Sequence, residues 1–198
     1  MAAVNAPAGA SAGPYSRAMQ RAALDANTDA FDVLVIGGGA TGAGIVLDAA
    51  VRGYRAALLE RDDFGAGTSS ASSKLIHGGV RYLAQGRIGL VREALRERAV
   101  LRRNAPALVR PLDLIVPTVG LFSRLKYRVG LGIYDLLAGS GAFHGIGRLT
   151  PAAVRAAVPN LAEPYCGSAF RYRDGQFDDT ALLIATLRSA VDAGAVVV

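Results

Sequence analysis

The amino-acid sequence predicts an α/β fold, because four elements of a parallel-sheet unit follow one another directly. A β-branched apolar run, residues 33–36, is typical of a strand buried on both faces. A glycine-rich turn over residues 37–42 follows at once, and residues 43–52 have the pattern of a helix. A second apolar strand, residues 56–59, ends at Glu60. This order of strand, turn, helix and strand indicates a Rossmann-like nucleotide-binding unit.

Composition supports a folded chain and argues against several classes of site. Hydrophobic residues make up 52% and charged residues 19% of the 198 residues, so the chain can bury a core. No apolar run is long enough to span a membrane. The single cysteine, Cys166, excludes an internal disulfide and a cysteine-based zinc site, and we expect an inert buried thiol. With only two histidines, His77 and His144, no metal site is expected.

The glycine turn carries the first chemical signal. Gly37, Gly39 and Gly42 have the spacing of a dinucleotide-binding turn, in which a helix N-terminus receives the pyrophosphate. Glu60 lies 18 residues past Gly42 at the end of the second strand, where a carboxylate accepts from ribose hydroxyls. This acid would repel a 2′-phosphate. The pattern predicts a dinucleotide site but does not separate NAD from FAD.

The rest of the chain alternates helical and strand-like segments. Helices are predicted over residues 82–103, 125–137, 151–158 and from Asp179 or Thr180 to 192, and strands over residues 112–119, 170–173 and 195–198. We expect Asp179 to act as the N-cap of the last helix. The last strand would complete a second parallel crossover and leave an exposed sheet edge at residues 195–198 that invites aggregation.

Five motifs resemble the FAD-dependent glycerol-3-phosphate dehydrogenases. In chain order they cover residues 37–44, 68–83, 93–98, 132–136 and 178–182, and the resemblance runs from Phe31 to the end of the chain. It implies FAD as the cofactor and oxidation of sn-glycerol 3-phosphate to dihydroxyacetone phosphate, with electrons passed to a membrane quinone or, in the oxidase branch, to oxygen. It also implies a domain of the glutathione-reductase/D-amino-acid-oxidase type with the start of an antiparallel α+β substrate domain.

Composition and the resemblance together predict a division of the chain. We expect a disordered tail over residues 1–30, with a short helix over residues 16–24. An FAD-binding domain would combine residues 31–104 and 176–198 and remain incomplete, because family members continue far past residue 198. Residues 105–175 would begin the substrate domain.

The candidate site residues follow from the glycine motif and from the resemblance. The cofactor-binding candidates are Gly37, Gly39, Thr41, Gly42, Glu60, Arg61, Thr68, Ser69, Ser72, Ser73, Lys74, His77, Gly78 and Gly79. Lys74 would stabilise the anionic reduced flavin. The catalytic candidates are His77, Arg81 and Tyr82. Arg81 and Tyr82 match family positions that bind the substrate phosphate, and His77 is the one candidate base, although the general base is not assignable.

Charge is concentrated in the middle of the chain. Residues 66–131 carry twelve basic and three acidic side chains. The segment 121–131 mixes apolar and cationic residues, which suits either an anionic membrane surface or a solvated arginine-rich helix face. The membrane interpretation places the protein in the cytoplasm, peripheral on the inner face of the plasma membrane. No nucleic-acid-binding motif accompanies the basic residues, so nucleic acid is not an expected partner.

Two alternative functions remain open. One is a related FAD-dependent oxidase of amines or hydroxy acids. The other is a truncated, inactive FAD-binding fragment. A homodimer is also left open, because the sequence does not decide the oligomeric state.

Overall fold

The computed structural model describes residues 13–198, which form two compact units. The residues through Ser72 together with Asp179–Val198 make the first unit, and Ser73–Asp178 make the second. The chain therefore leaves the first unit once and returns to it for its last twenty residues.

The first unit is a parallel α/β structure. Its elements are α1 (Arg17–Asp25), β1 (Val33–Ile36), α2 (Ala40–Val51), β2 (Ala56–Leu59), α7 (Asp179–Asp192) and β7 (Val196–Val197), with a 3₁₀ turn over Thr68–Ser70. Among the described residues the sheet order is β1-β2-β7, and both strand pairs are parallel. The predicted Rossmann-like order and the second parallel crossover are confirmed.

Small and branched side chains fill the core of this unit. Helices α2 and α7 both pack their apolar faces onto it, and the alanines allow close approach of helix and strand. The fully buried or nearly buried members are Val35, Ala43, Val46, Ala49, Ala50, Ala56, Leu58, Leu183, Leu187, Ala190, Ala195 and Val197.

The N-terminal segment contains an ordered helix on the edge strand, which differs from the predicted disordered tail. Residues 1–12 of that tail lie outside the described residues. The predicted short helix is confirmed as α1, and the Ser16 side chain caps it by accepting from the Met19 N–H. Gln20 is buried, and its Oε1 accepts from the outward-facing Val197 N–H at 2.9 Å. The expected exposed edge at residues 195–198 is therefore covered at Val197, because a side-chain amide occupies the position of a further strand.

The second unit is antiparallel. Its elements are β3 (Leu75–Ile76), α3 (Val80–Leu83), α4 (Ile88–Asn104), β4 (Val109–Pro117), α5 (Gly120–Ala138), β5 (Gly147–Leu149), α6 (Pro151–Ala157) and β6 (Ala169–Phe177). Strand β6 pairs with β3, β4 and β5, antiparallel in each case, and its pairing with β4 runs along nine residue positions. Thr150 caps α6. Cys166 is a buried free thiol, as predicted.

The predicted helix over residues 82–103 is two helices in the structure. α3 ends at Leu83, and α4 begins at Ile88 after a turn in which Gly86 has a φ of +72°. A helix cannot continue through this left-handed conformation, so α3 and α4 do not join into one helix.

The unit boundary also differs from the predicted domain boundary. Residues 73–104 belong to the second unit, whereas the sequence analysis placed them in the FAD-binding domain. The reason is strand pairing, because Leu75 and Ile76 pair with Gln176 and Gly175 of β6. A two-residue strand gives no periodicity that sequence analysis can detect.

Candidate functional site

The glycine turn between β1 and α2 is fixed by close backbone contacts. Gly37 has a φ of +106°, and its N–H donates to the Leu59 carbonyl at 2.8 Å. A Cβ on Gly42 would lie 2.0 Å from the Gly37 carbonyl oxygen, so only glycine fits there. Gly39 is the N-cap of α2 and brings no side-chain cap. Gly39 itself therefore does not block the approach of an anion to the helix N-terminus, as a pyrophosphate site requires.

Glu60 is tied to this turn. Its Oε2 accepts from the Gly38 N–H at 2.6 Å, and its Oε1 accepts from the Asp62 N–H at 2.9 Å. These hydrogen bonds, with the Asp62 contact the larger cause, lower the pKa of the Glu60 carboxyl. The carboxylate stays ionised at neutral pH, as an acceptor for ribose hydroxyls must.

Two serines of the loop after β2, Ser69 and Ser72, make different contacts. The Ser69 hydroxyl accepts from the Ala40 N–H at 2.9 Å, so it reaches the first turn of α2. Ser72 is directed to α7 instead, where its N–H and hydroxyl donate to Asp179 Oδ2. Asp179 is the first residue of α7 and is buried. Its carboxylate joins the loop to the helix, a contact that the predicted N-cap role did not anticipate.

Two further candidates of the first unit have exposed side chains. Thr41 lies on the exposed side of the first turn of α2. Arg61 is 90% exposed and forms an ion pair with Asp62 at 2.9 Å. Neither of these side chains has a hydrogen bond to the glycine turn in the described part of the chain.

The first unit fits a dinucleotide cofactor such as FAD. Gly42 admits the close approach of α2 to the turn, and Glu60 supplies the acid. Gly39 places no side chain of its own at the helix N-terminus, where the Ser69 hydroxyl accepts from the Ala40 N–H. A cavity of about 190 Å³ lies beside Glu60 and is also lined by Tyr15 and Arg17. These two residues belong to the segment predicted as a disordered tail, so sequence reasoning missed them.

All but one of the remaining candidates lie in the second unit. Lys74 has a φ of +56°, a left-handed conformation that is uncommon outside glycine, and its carbonyl accepts from the Phe177 N–H. Thr68 remains with Ser69 in the 3₁₀ turn of the first unit, while Ser73 starts the second. His77 follows β3 with an exposed side chain.

Gly78 and Gly79 are buried, in contrast to His77 before them. A Cβ on Gly78 would lie 2.5 Å from the Leu95 side chain, and one on Gly79 would lie 2.5 Å from the Tyr82 ring. Gly79 also has a φ of +68° and is the N-cap of α3. Both positions therefore require glycine, for packing and, at Gly79, for backbone conformation.

Arg81 and Tyr82 lie on the short helix α3. The Arg81 guanidinium lies 5.8 Å from the centre of the Tyr82 ring, and Arg81 is exposed. Tyr82 is half-buried and packs against the core cluster of Val91, Leu95 and Tyr134. An exposed guanidinium beside a phenol suits a phosphate group.

Comparison with known proteins identifies the family. The FAD dependent oxidoreductase family matches residues 32–198. The chain belongs to that family. The Rossmann-like unit and FAD as the family's cofactor, both predicted above, agree with this assignment.

Among curated proteins, this chain is similar in sequence to several glycerol-3-phosphate dehydrogenases. The chain is 44% identical over 189 residues to the human mitochondrial glycerol-3-phosphate dehydrogenase. The aligned region covers 92% of this chain and 26% of that protein. It is 39% identical over 172 residues to the aerobic glycerol-3-phosphate dehydrogenase of Staphylococcus aureus. The chain thus spans about a quarter to a third of the length of these relatives, at 26% and 31%.

A solved structure of the same kind is also similar. The glycerol-3-phosphate dehydrogenase of Bacillus halodurans, complexed with FAD, matches with a TM-score of 0.61 and 31% identity, over 86% of this chain and 26% of that one. The glycerophosphate oxidase of Mycoplasma pneumoniae has a TM-score of 0.62 at 15% identity and supports the fold alone.

Proposed function

We propose that this chain is the cofactor-binding, N-terminal part of an FAD-dependent glycerol-3-phosphate dehydrogenase. Such an enzyme oxidises sn-glycerol 3-phosphate to dihydroxyacetone phosphate. The observation that carries the proposal is the 44% identity to a protein of that name over 92% of this chain, a match that includes both units. We assign FAD binding mainly to the first unit and the substrate side to the second.

The first unit supplies the cofactor contacts in this proposal. The N-terminus of α2 holds the pyrophosphate and the Glu60 carboxylate accepts from the ribose hydroxyls. The remaining candidates on this side are Gly37, Gly39, Thr41, Gly42, Arg61, Thr68, Ser69 and Ser72. When bound, FAD supplies the two-electron acceptor for oxidation at C2 of the substrate.

The second unit supplies the substrate side. The exposed Arg81 guanidinium and the Tyr82 phenol bind the phosphate of sn-glycerol 3-phosphate, since a guanidinium presents several donors to a dianion. His77 is exposed at the end of β3 and takes the proton of the C2 hydroxyl during the oxidation. Ser73, Lys74, Gly78 and Gly79 complete the set as contacts to the flavin edge.

A visible spectrum tests this proposal. The purified chain is loaded with FAD, and the flavin band is followed without oxygen after adding sn-glycerol 3-phosphate, glycerol, glycine or L-proline. The proposal expects bleaching by sn-glycerol 3-phosphate alone. Bleaching by the amino acids would favour an amine oxidase instead, and a bound flavin that no compound bleaches would contradict activity of these 198 residues.

The phosphate contact has its own variant. Arg81→Gln is expected to raise the concentration of sn-glycerol 3-phosphate needed for half-maximal bleaching about tenfold or more, because a charge-assisted pair is lost. Arg92→Gln, an exposed arginine of α4, is the matched control and should leave this concentration unchanged. Equal effects of the two variants would remove Arg81 from the phosphate site.

The proposal extends to a quinone acceptor and to a membrane surface on the cytoplasmic side. No helix within residues 13–198 is long and apolar enough to cross a bilayer. The support for a surface contact is α5, where Leu121, Phe122 and Leu136 are 80% exposed or more, with Lys126 and Arg128 exposed on the same helix. Apolar and cationic side chains together suit an anionic lipid surface.

Vesicle sedimentation tests the membrane contact. The chain should sediment with phosphatidylglycerol vesicles and much less with phosphatidylcholine vesicles, and Phe122→Ser should reduce the bound fraction. Ile88→Ser, an exposed apolar residue of α4, is the control. Light scattering of the chain without vesicles distinguishes a monomer from the homodimer that the sequence leaves open.

A further inference from the structure

A buried polar network lies behind the Gly78–Gly79 backbone. Arg98, Tyr134 and Asp174 are 1%, 3% and 0% exposed. Arg98 Nη1 donates to Asp174 Oδ1 at 2.6 Å, and the Tyr134 hydroxyl donates to Asp174 Oδ2 at 2.6 Å. The Gly78 N–H in turn donates to the Tyr134 oxygen at 2.7 Å. The three side chains and one backbone amide thus form a continuous chain of hydrogen bonds.

The direction of each hydrogen bond in this chain is fixed. Burial, reinforced by the Asp174 charge, raises the pKa of the Tyr134 phenol far above its usual value, so the phenol keeps its proton. That single proton is given to Asp174, and the phenol oxygen can only accept from Gly78. Asp174 also accepts from the Gly175 N–H at 3.0 Å, so its carboxylate is well provided with donors.

The network is held from its far end as well. Arg98 Nη2 donates to the Gly141 carbonyl at 3.1 Å, and the guanidinium lies 4.8 Å from the centre of the Phe143 ring. Arg98 belongs to α4, Tyr134 to α5 and Asp174 to β6. Three elements therefore converge on one backbone amide of the loop that follows β3.

We propose that Tyr134 is a positioning residue that holds the Gly78–Gly79 backbone in place, and that Asp174 and Arg98 orient Tyr134 for this role. Gly78 has no Cβ because Leu95 and the Tyr134 hydroxyl occupy the space where it would lie, at 2.5 and 2.7 Å. The Gly78 backbone thus lies in close contact with Tyr134, the residue to which its N–H is hydrogen-bonded. The consequence for the flavin rests on the proposed function, in which this loop lies along the cofactor and carries His77.

Amide hydrogen exchange of Tyr134→Phe tests the proposal without any cofactor. The variant keeps the ring, which packs edge-on against Tyr172 with centroids 6.1 Å apart, and removes only the hydroxyl. We expect the Gly78 amide to exchange about fivefold faster or more, the factor that corresponds to loss of one net hydrogen bond. Amides of β2 in the first unit serve as the internal reference and should not change.

Tyr172→Phe is the matched control. It removes a hydroxyl from the same cluster, and within the described residues that hydroxyl makes no hydrogen bond to the 77–79 loop. Its Gly78 amide should exchange as in the wild-type chain. Equal exchange at Gly78 in the wild-type chain and in Tyr134→Phe would overturn the proposal. Should Tyr134→Phe fail to fold, a Gly78 amide that is among the fastest of the second unit in the wild-type chain would overturn it equally.

A second readout concerns the flavin. In chain loaded with FAD, Tyr134→Phe should shift the visible flavin band and weaken FAD binding about threefold to tenfold, while Tyr172→Phe should do neither. A wild-type chain that binds no FAD would contradict the proposed function and leave the exchange result to decide the role of Tyr134. Faster Gly78 exchange with an unchanged flavin band and affinity would reduce Tyr134 to a structural residue of the core and overturn its positioning role.

Discussion

Each unit contains a glycine turn with candidate site residues, and the two turns are held in place by different means. In the first unit, the turn at Gly37–Gly42 is fixed by the backbone itself, since a side chain on Gly42 would overlap the Gly37 carbonyl oxygen. In the second unit, the turn at Gly78–Gly79 is fixed by the phenol of Tyr134, which is distant in sequence but hydrogen-bonded to the Gly78 N–H. Asp174 in turn accepts from this phenol.

The difference teaches where each turn is vulnerable. A sterically fixed turn fails when atoms are added to it. A turn fixed by a buried polar network fails when one partner of the network is removed, because the other partners are then left buried and unsatisfied.

The largest effect is expected from Asp174→Asn. Asp174 and Arg98 form an ion pair with exposures of 0% and 1%, and loss of one charge leaves the other buried without compensation. Chemical unfolding should show a free energy of unfolding that is lower by about 3–5 kcal/mol. Glu163→Gln is the control, since it breaks the exposed pair with Arg155 and should change stability very little. A small effect at Asp174 would mean that the network does not stabilise the second unit.

Gly42→Ala should have the next largest effect. The new Cβ would meet the Gly37 carbonyl at 2.0 Å, and relief requires movement of α2 or of the turn. We expect the free energy of unfolding, measured in urea, to fall by about 2–3 kcal/mol. Gly44→Ala, on the same helix, meets no atom within 4 Å and should stabilise the chain slightly, because alanine favours helix over glycine. Two alanine variants of equal stability would contradict steric fixation.

Raising the pH should weaken the second turn before the first. The phenol of Tyr134 ionises near its usual pKa of about 10 in the unfolded chain and well above it in the folded chain. The contribution of Tyr134 to the free energy of unfolding is therefore fully present below about pH 10 and falls as the pH rises above it. This one group lowers the free energy of unfolding by at most about 1.4 kcal/mol per pH unit. Unfolding at increasing pH should show a shallower decline in Tyr134→Phe than in the wild-type chain. Identical slopes would exclude Tyr134 as a cause.

Gln20→Ala should have the smallest effect of the four. The change removes the acceptor of the Val197 N–H and is expected to cost about 1 kcal/mol in thermal or urea unfolding. It should also expose the edge of β7, so that light scattering reveals more association. Arg21→Ala, an exposed residue of the same helix, is the control. No change in either readout would mean that α1 does not protect this edge.

The two turns also differ in how far the sequence predicts them. The first was predicted with its strands, helix and terminal acid, because glycine sterics and hydrophobic periodicity are local properties of the chain. The Glu60 contact to Gly38 crosses only 22 positions. Antiparallel pairing of the second unit was expected from family resemblance and not from the pattern.

The second turn is held by contacts that no local pattern encodes. Gly78 and Tyr134 are 56 positions apart, and Arg98 and Asp174 are 76 apart. Tyr134 lies in a motif that the resemblance identified, but its role was not predicted, and Asp174 was not singled out. The burial of Gln20 under β7 was missed for the same reason, since its partner lies 177 positions away.

The central claim is that the sterically fixed turn of the first unit binds FAD, and equilibrium dialysis of FAD against three chains tests it most directly. The wild-type chain and Gly44→Ala should each bind about one FAD per chain, while Gly42→Ala should bind at least about tenfold more weakly, because the helix N-terminus is displaced from the pyrophosphate. A folded wild-type chain that binds no FAD, or a Gly42→Ala chain that binds it equally well, would contradict the claim.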